Sequence, residues 1–427
     1  MWGHSVPSVV LPKMGCKRPH VRIDRFTMVK LNVLSAYREV PRLSYLIGLS
    51  HMLLELHFNF LPVVYPVLIA TLGLSYGQVG TLALIASTST TLIQPVFGAL
   101  SDRLSRRGMI VASLAWIGSL MALIGYTQNY WAIALVIALG GLGSACFHPA
   151  AAALASTAAS ARRGTSMSVF SVTGSLGVAL SPLLMGLLLA RWGLRGTGAL
   201  AVLGLGSAAF LAWQFREVGR SQRVVAAETS PLPATGGSLL ALALVVLFVM
   251  ARSWFQGSFY AYLPSFLESG GMSLEQAGAV FSILLFASSL GSLMGGPIAD
   301  SVGRLPVVLV SLALLGPMGW LALHTTGALQ ILLLVITGIM LGASIPIGLL
   351  MAQDTWPRGT GLASSLAMGM GWLPSGIGAW AVGRMADQNG LLAAMSTLGW
   401  VPLIGLVFAV GYGISQRFAH ETNRFPS

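Results

Sequence analysis

The chain has 427 residues, of which 55% are hydrophobic and only 8% charged, with a formal net charge of +12. A soluble domain of this length with so few charges would lack the polar surface that keeps it in water, so composition excludes an ordinary soluble globule. A basic balance can signal nucleic acid, but here Lys and Arg lie between apolar stretches in alternate connections, which is the signature of membrane topology.

Residues 1–42 carry Lys13, Lys17, Arg18, Arg22, Arg25, Lys30, Arg38 and Arg42 and no apolar core of signal-peptide length, so they are expected to form a basic cytoplasmic tail. A spanning helix needs about 20 mostly apolar residues. Stretches that qualify run near 43–70, 79–100, 109–127, 130–156, 165–189, 197–215, 239–267, 277–298, 307–324, 329–352, 361–383 and 392–414. Between the sixth and seventh lies the polar run Arg216–Ser238, with Pro231, Pro233, Gly236 and Gly237, the composition of a flexible linker. The expected organisation is a tail (1–42), an N-terminal six-helix bundle (43–215), a cytoplasmic linker (216–238), a C-terminal six-helix bundle (239–414) and a second tail (415–427). The fold class is therefore an all-α membrane protein with twelve transmembrane helices.

Positive charge recurs in every second connection, at Arg103/Arg106/Arg107, Arg162/Arg163, Arg216/Arg220/Arg223, Arg304 and Arg358, and again at Arg417 and Arg424. The opposite side receives Arg191, Arg195 and Arg384. The positive-inside rule then puts both termini in the cytoplasm. With Cys16 in the tail and Cys146 inside a span, no structural disulfide is expected.

The two halves repeat. Pro66, Gly73, Ser75, Gln78, Gly80, Gly98, Asp102 and Arg106 return as Pro264, Gly271, Ser273, Gln276, Gly278, Gly296, Asp300 and Arg304, all at a constant offset of 198 and without a gap. Parallel duplication of a helical membrane unit makes two pseudo-symmetric bundles with a substrate site between them, the plan of an alternating-access carrier.

Ionisable residues inside apolar spans are costly and point to function. His51 and Glu55 are four apart and share a helix face, so they are the proton-coupling candidates. Arg252 interrupts the seventh span and is offset-related to Leu54, so it is expected beside Glu55, where it would bind an anionic substrate or neutralise the carboxylate. His148, next to Pro149, and Glu55 complete the substrate-binding candidates. Tyr65, Trp254, Phe255, Tyr260, Tyr262 and Trp372 are candidates to line the cavity. His51, Glu55 and His57 lack an accompanying Cys or second nearby carboxylate, so no metal site is expected, and no cofactor either.

Gly98-Ala-Leu-Ser-Asp102-Arg103-Leu-Ser-Arg106-Arg107 between spans two and three, and its echo Gly296-Pro-Ile-Ala-Asp300-Ser-Val-Gly303-Arg304, resemble the loop signature of the major facilitator superfamily. By that resemblance Asp102, Arg103, Arg106, Asp300 and Arg304 are gating residues, each Asp holding arginines and helix ends at the cytoplasmic face. Ser50-His51-Met52-Leu53-Leu54-Glu55, Phe147-His148-Pro149 and the Gly174, Gly177, Ser181-Pro182 run of span five resemble the fosmidomycin-resistance branch of that superfamily. That branch usually has Asn-Asp where this chain has Leu54-Glu55.

The resemblance implies an inner-membrane antiporter that exports a small, anionic or drug-like organic compound against protons, associated with drug resistance. Its partners would be a small-molecule substrate, protons and the lipid bilayer, with no nucleic acid, and the chain would work as a monomer. Proton-coupled uptake of a small organic anion uses the same charged residues and stays open, as does a non-transporting membrane sensor. The chain offers no phosphate-binding loop or nucleophile constellation, so it is not read as an enzyme.

Overall fold

The computed structural model describes residues 40–101, 103–158, 163–219, 238–356, 363, 366–367 and 371–422. Among them the regular structure is helical throughout, with short 3₁₀ turns and no strand. The helices are α1 (Arg42–Leu56), α2 (Leu61–Leu72), α3 (Tyr76–Thr91), α4 (Gln94–Ser101), α5 (Arg106–Ala122), α6 (Tyr130–Ala158), α7 (Arg163–Trp192) and α8 (Ala199–Gly219) in the first half. The second half contains α9 (Leu239–Ser269), α10 (Leu274–Val302), α11 (Arg304–Leu323), α12 (Gly327–Thr355), α13 (Gly371–Asn389), α14 (Leu391–Ser396) and α15 (Val401–Thr422). Ten stretches of the described chain are long and apolar enough to cross a membrane, and one of these, Thr165–Val218, runs through most of both α7 and α8.

The sequence repeat becomes a repeat of turns and partners. Gly73 (φ 64°) and Gly271 (φ 94°) stand in the left-handed region that suits glycine. Each leads into a serine whose side chain accepts from the backbone N–H of a glutamine three residues on, while that glutamine reaches back to the serine N–H: Ser75 with Gln78, and Ser273 with Gln276. These reciprocal caps satisfy otherwise orphaned donors at the starts of α3 and α10, stabilising each by about 1 kcal/mol.

Packing follows the same correspondence. α1 packs on α7 as α9 does on α13; α3 packs on α6 as α10 does on α12; α5 packs on α8 as α11 does on α15. The halves meet through α3 on α13 and α7 on α10, again a matched pair. Gly80 and Gly278, one of the repeated pairs, sit at these two crossings. A Cβ on Gly80 would meet the Ala379 carbonyl and the Trp380 backbone, and one on Gly278 would meet the Pro182 carbonyl. The glycines are kept small by backbone-to-backbone contact between halves.

One span departs from the expected continuous helix at 43–70. His57–Phe60 form a turn between α1 and α2. Pro62 near the start of α2 has no N–H to give the Phe58 carbonyl and its ring would crowd it, so the helix stops and restarts.

Candidate functional site

The break in the first span shapes the site. Glu55 ends α1, and Asn59, one turn later in the break, donates from Nδ2 to both the Glu55 backbone carbonyl (3.1 Å) and the carboxylate Oε2 (2.6 Å). The other carboxylate oxygen, Oε1, is 3.2 Å from His51 Nε2 and 3.0 Å from His148 Nε2. His51 stands on α1 and His148 on α6, so two helices bring an imidazole each to one oxygen. The side chains are 12% (His51), 14% (Glu55) and 31% (His148) exposed, which leaves the cluster within reach of water or solute.

The imidazoles are oriented from behind. His51 Nδ1 lies 2.8 Å from the Phe170 carbonyl of α7, and its ring stacks on that of Phe170 at 4.0 Å between centroids. His148 Nδ1 lies 2.9 Å from the Ser144 carbonyl, one turn back on α6. Room for this comes from α7: a Cβ on Gly174 would overlap the His51 imidazole, and one on Gly177 would run into the Met52 carbonyl and the Glu55 Cβ. The small-residue face of α7 therefore serves the carboxylate site as well as helix packing. The His51, Glu55 and His148 ligand atoms all lie within 4.8 Å of one another. A metal ion could span such a distance, but the contacts of 3.0 and 3.2 Å are hydrogen-bond lengths that a shared proton fills directly.

His51, Glu55 and His148 are thus assembled as one cluster. His57 is directed elsewhere, its Nε2 3.1 Å from the Leu200 carbonyl and both Gly118 and Gly204 packed beside that nitrogen. Arg252 is buried, at 2% exposure, on α9. Among the described residues it donates to Gln256 Oε1 (2.9 Å) and Ser253 Oγ (3.1 Å), while the described hydrogen-bond partners of the Glu55 side chain come from the first half. The reason is local: Ser253 and Gln256 lie one and four residues away on the same helix, so they reach the guanidinium without any movement between halves.

The gating residues are also rearranged. Arg304, at the start of α11, forms an ion pair with Asp354 at the end of α12, while Asp300 is exposed and pairs with no described residue. Arg304 and Asp354 each close a helix end on the same side of the bundle, whereas Asp300 is still within α10. Asp102 and Arg358 lie outside the described residues. Arg106 Nε donates to the Ser101 carbonyl at 3.4 Å, Arg107 donates to the Phe215 carbonyl at 3.2 Å, and Arg103 is exposed.

A second clasp, not anticipated, holds the opposite end. Asp387 near the end of α13 accepts from the backbone N–H groups of Tyr76 (2.7 Å) and Gly77 (2.9 Å), the first residues of α3. Its carboxylate caps a helix that belongs to the other half, where unpaired donors and the helix dipole favour negative charge. Tyr262 of α9, expected to line a cavity, is fully buried here and donates its hydroxyl toward the carbonyls of Tyr76 (2.9 Å) and Ala379 (2.8 Å). Asn59 and Asp387 were both missed. Asn59 had a legible signal, its four-residue spacing from Glu55; Asp387 had none, since its partner is more than 300 residues away.

Apolar spans, a duplicated helical unit and an ionisable cluster within it together describe a multi-pass membrane transporter. The sequence profile of the Major Facilitator Superfamily matches residues 47–379 and 268–424, and the chain belongs to that family. Within it, the chain stands near the fosmidomycin-resistance branch. It is 27% identical over 374 residues to the fosmidomycin resistance protein of Escherichia coli (strain K12), spanning 84% of this chain and 90% of that protein. It is 28% identical over 377 residues to the uncharacterized MFS-type transporter YfnC of Bacillus subtilis (strain 168), covering 85% and 90%. A solved bacterial homolog of the human lysosomal transporter Spinster, inward-facing and occupied, superposes with a TM-score of 0.76 at 15% identity, covering 87% of this chain and 96% of that one. The family and these relatives are transporters, not enzymes.

Proposed function

We propose that this chain is a twelve-helix antiporter of a bacterial inner membrane that expels a small, anionic, drug-like compound in exchange for protons, with both termini cytoplasmic and the monomer as working unit. The observation that carries the reading is the Glu55 carboxylate, set within a membrane span and contacted by two imidazoles and an amide. A carboxylate in such a place is expensive unless it faces protein, water or a proton, and a carrier uses that exchange to drive a cycle. The resistance named in the Escherichia coli relative supports the export direction and makes fosmidomycin the first probe. Arg252 supplies the anion-binding group, since its planar fork suits a phosphonate or carboxylate better than a lysine would.

The test is transport by purified protein in liposomes under an imposed pH gradient. Wild type should accumulate fosmidomycin against its gradient, and Glu55→Gln should only equilibrate it. Proton-driven accumulation by Glu55→Gln would remove the carboxylate from the coupling. Arg252→Ala should weaken binding of the anionic probe by about tenfold or more, and Arg252→Lys should recover only part of that. Wild-type affinity in Arg252→Ala would make the residue structural.

A further inference from the structure

The cluster around Glu55 contains a proton count that the distances fix. A backbone carbonyl accepts and never donates, so the His51 nitrogen facing the Phe170 carbonyl and the His148 nitrogen facing the Ser144 carbonyl must each carry a hydrogen. For His148 the carbonyl at 2.9 Å outweighs the Ser144 hydroxyl at 3.4 Å. Each ring then presents Nε2 to Glu55 Oε1, at 3.2 Å for His51 and 3.0 Å for His148. A neutral ring with hydrogen on Nδ1 has only a lone pair at Nε2. Both contacts would set lone pair against lone pair on the carboxylate, with the second oxygen already taken by Asn59. One proton relieves one contact. Two protons make both of them hydrogen bonds.

We infer that His51, Glu55 and His148 form a two-proton site, in which His148 is a proton carrier rather than a substrate contact. The inference deepens the proton-coupled reading above and rests on it only for the direction of transport. In the conformation described here, each imidazole is doubly protonated and the carboxylate accepts from both. The groups packed against the cluster from α7 are Phe170, Gly174 and Gly177, none of them ionisable. Arg252 hydrogen-bonds to Gln256 and Ser253.

Loading takes two protons from water on one side of the membrane onto the two Nε2 atoms, and unloading returns them to water on the other. Each N–H bond formed is matched by an O–H bond of hydronium broken, and each N–H broken on release by an O–H formed in water on the other side. The unloaded cluster has opposed lone pairs at its two Nε2–Oε1 contacts and cannot keep this geometry, so α6, which carries His148, must part from α1, which carries Glu55. Proton release is thereby tied to relative movement of helices.

The decisive measurement is solid-state nitrogen NMR of histidine-labelled protein in lipid bilayers at about pH 6.5, near the ordinary imidazole midpoint. Wild type should show two rings with both nitrogens protonated, assigned by their loss in His51→Gln and His148→Gln, with His→Asn as a second assignment variant at either position. Glu55→Gln should return both rings to the neutral form with hydrogen on Nδ1. An unprotonated Nε2 on either ring of wild type, at every pH from about 5 to 8, overturns the inference. So do Nε2 signals that move only on adding zinc and revert with a chelator, since a metal would then occupy the protons' place.

A transport arm reads the same count. At zero membrane potential a tenfold fosmidomycin gradient is balanced by a pH difference of about 0.5 when two protons move and about 1 when one moves. Wild type should balance at the lower value and His148→Gln at the higher. A wild type that balances at the higher value overturns the two-proton cycle. If wild type does not move fosmidomycin at all, the assigned function fails while the NMR result still decides the site.

Discussion

The first and seventh passes are copies that have diverged in one decisive place. Both keep a proline inside the helix, Pro66 and Pro264, and both end in a left-handed glycine followed by a reciprocal serine cap. The first is broken at His57–Phe60, however, whereas α9 runs unbroken over Leu239–Ser269. Pro62 has Tyr260 as its counterpart, so nothing interrupts the second copy. The positions equivalent to His51, Glu55 and His148 are Val249, Ser253 and Pro346. One half has a carboxylate with two imidazoles in a bent span. The other has a guanidinium on an unbroken helix, hydrogen-bonded to the serine that replaces the carboxylate. Duplication supplied two equal frames, and a single proline with four polar differences, at His51, Glu55, His148 and Arg252, separated their chemistry.

The largest effects should come from exchanging the devices that make the copies differ. Tyr260→Pro places a ring and a missing N–H in the middle of α9, which costs about 3 kcal/mol or more and should lower the melting temperature in detergent sharply. Pro62→Ala should leave the melting temperature unchanged or raise it. It should nevertheless cut proton-driven transport, because closing the turn at His57–Phe60 redirects α2 relative to the cluster, even though Asn59, four residues on, keeps the helix face of Glu55. If Pro62→Ala transports at the wild-type rate, the break is incidental to the site.

A smaller change should follow from Asn59→Ala, which removes the donor to Glu55 Oε2 without touching the imidazoles. A hydrogen bond to a charged group contributes about 1.5 kcal/mol or somewhat more. The expected outcome is a slower exchange rate with the proton count unchanged, measured by the same gradient balance. A changed count would mean that Asn59 takes part in holding the protons.

The smallest effect concerns the joint between the copies. Asp387→Asn keeps the size of the clasp on α3 but removes its charge and one of its two accepting oxygens, together about 1 kcal/mol at this exposed helix end. Ser87 of α3 faces Gly376 of α13 across the joint. A cysteine at Ser87, in a background lacking the native cysteines, should be alkylated a few-fold faster when Asp387→Asn is added. An unchanged rate would show that the apolar glycine crossings hold the joint closed without the carboxylate.

The sequence by itself determined whatever depends on neighbours along the chain. Apolar length and alternating positive loops announced membrane spans. The pairs Ser75/Gln78 and Ser273/Gln276 already contained both capping boxes, and the four-residue spacing of His51 and Glu55 placed them on one helical face. The tertiary structure decided whatever depends on how one helix is turned against another. Gly174 and Gly177 let α1 settle close to α7, and that approach, together with the position of α6, brings His148 to Glu55 from 93 residues away. It also sets Arg252 against Gln256 and Ser253 and gives Arg304 to Asp354 in place of Asp300. Helical period is a property of the local backbone and is written in spacing; the rotation and depth of a helix in its bundle are set by the sum of contacts with several others, so they appear only when all have packed.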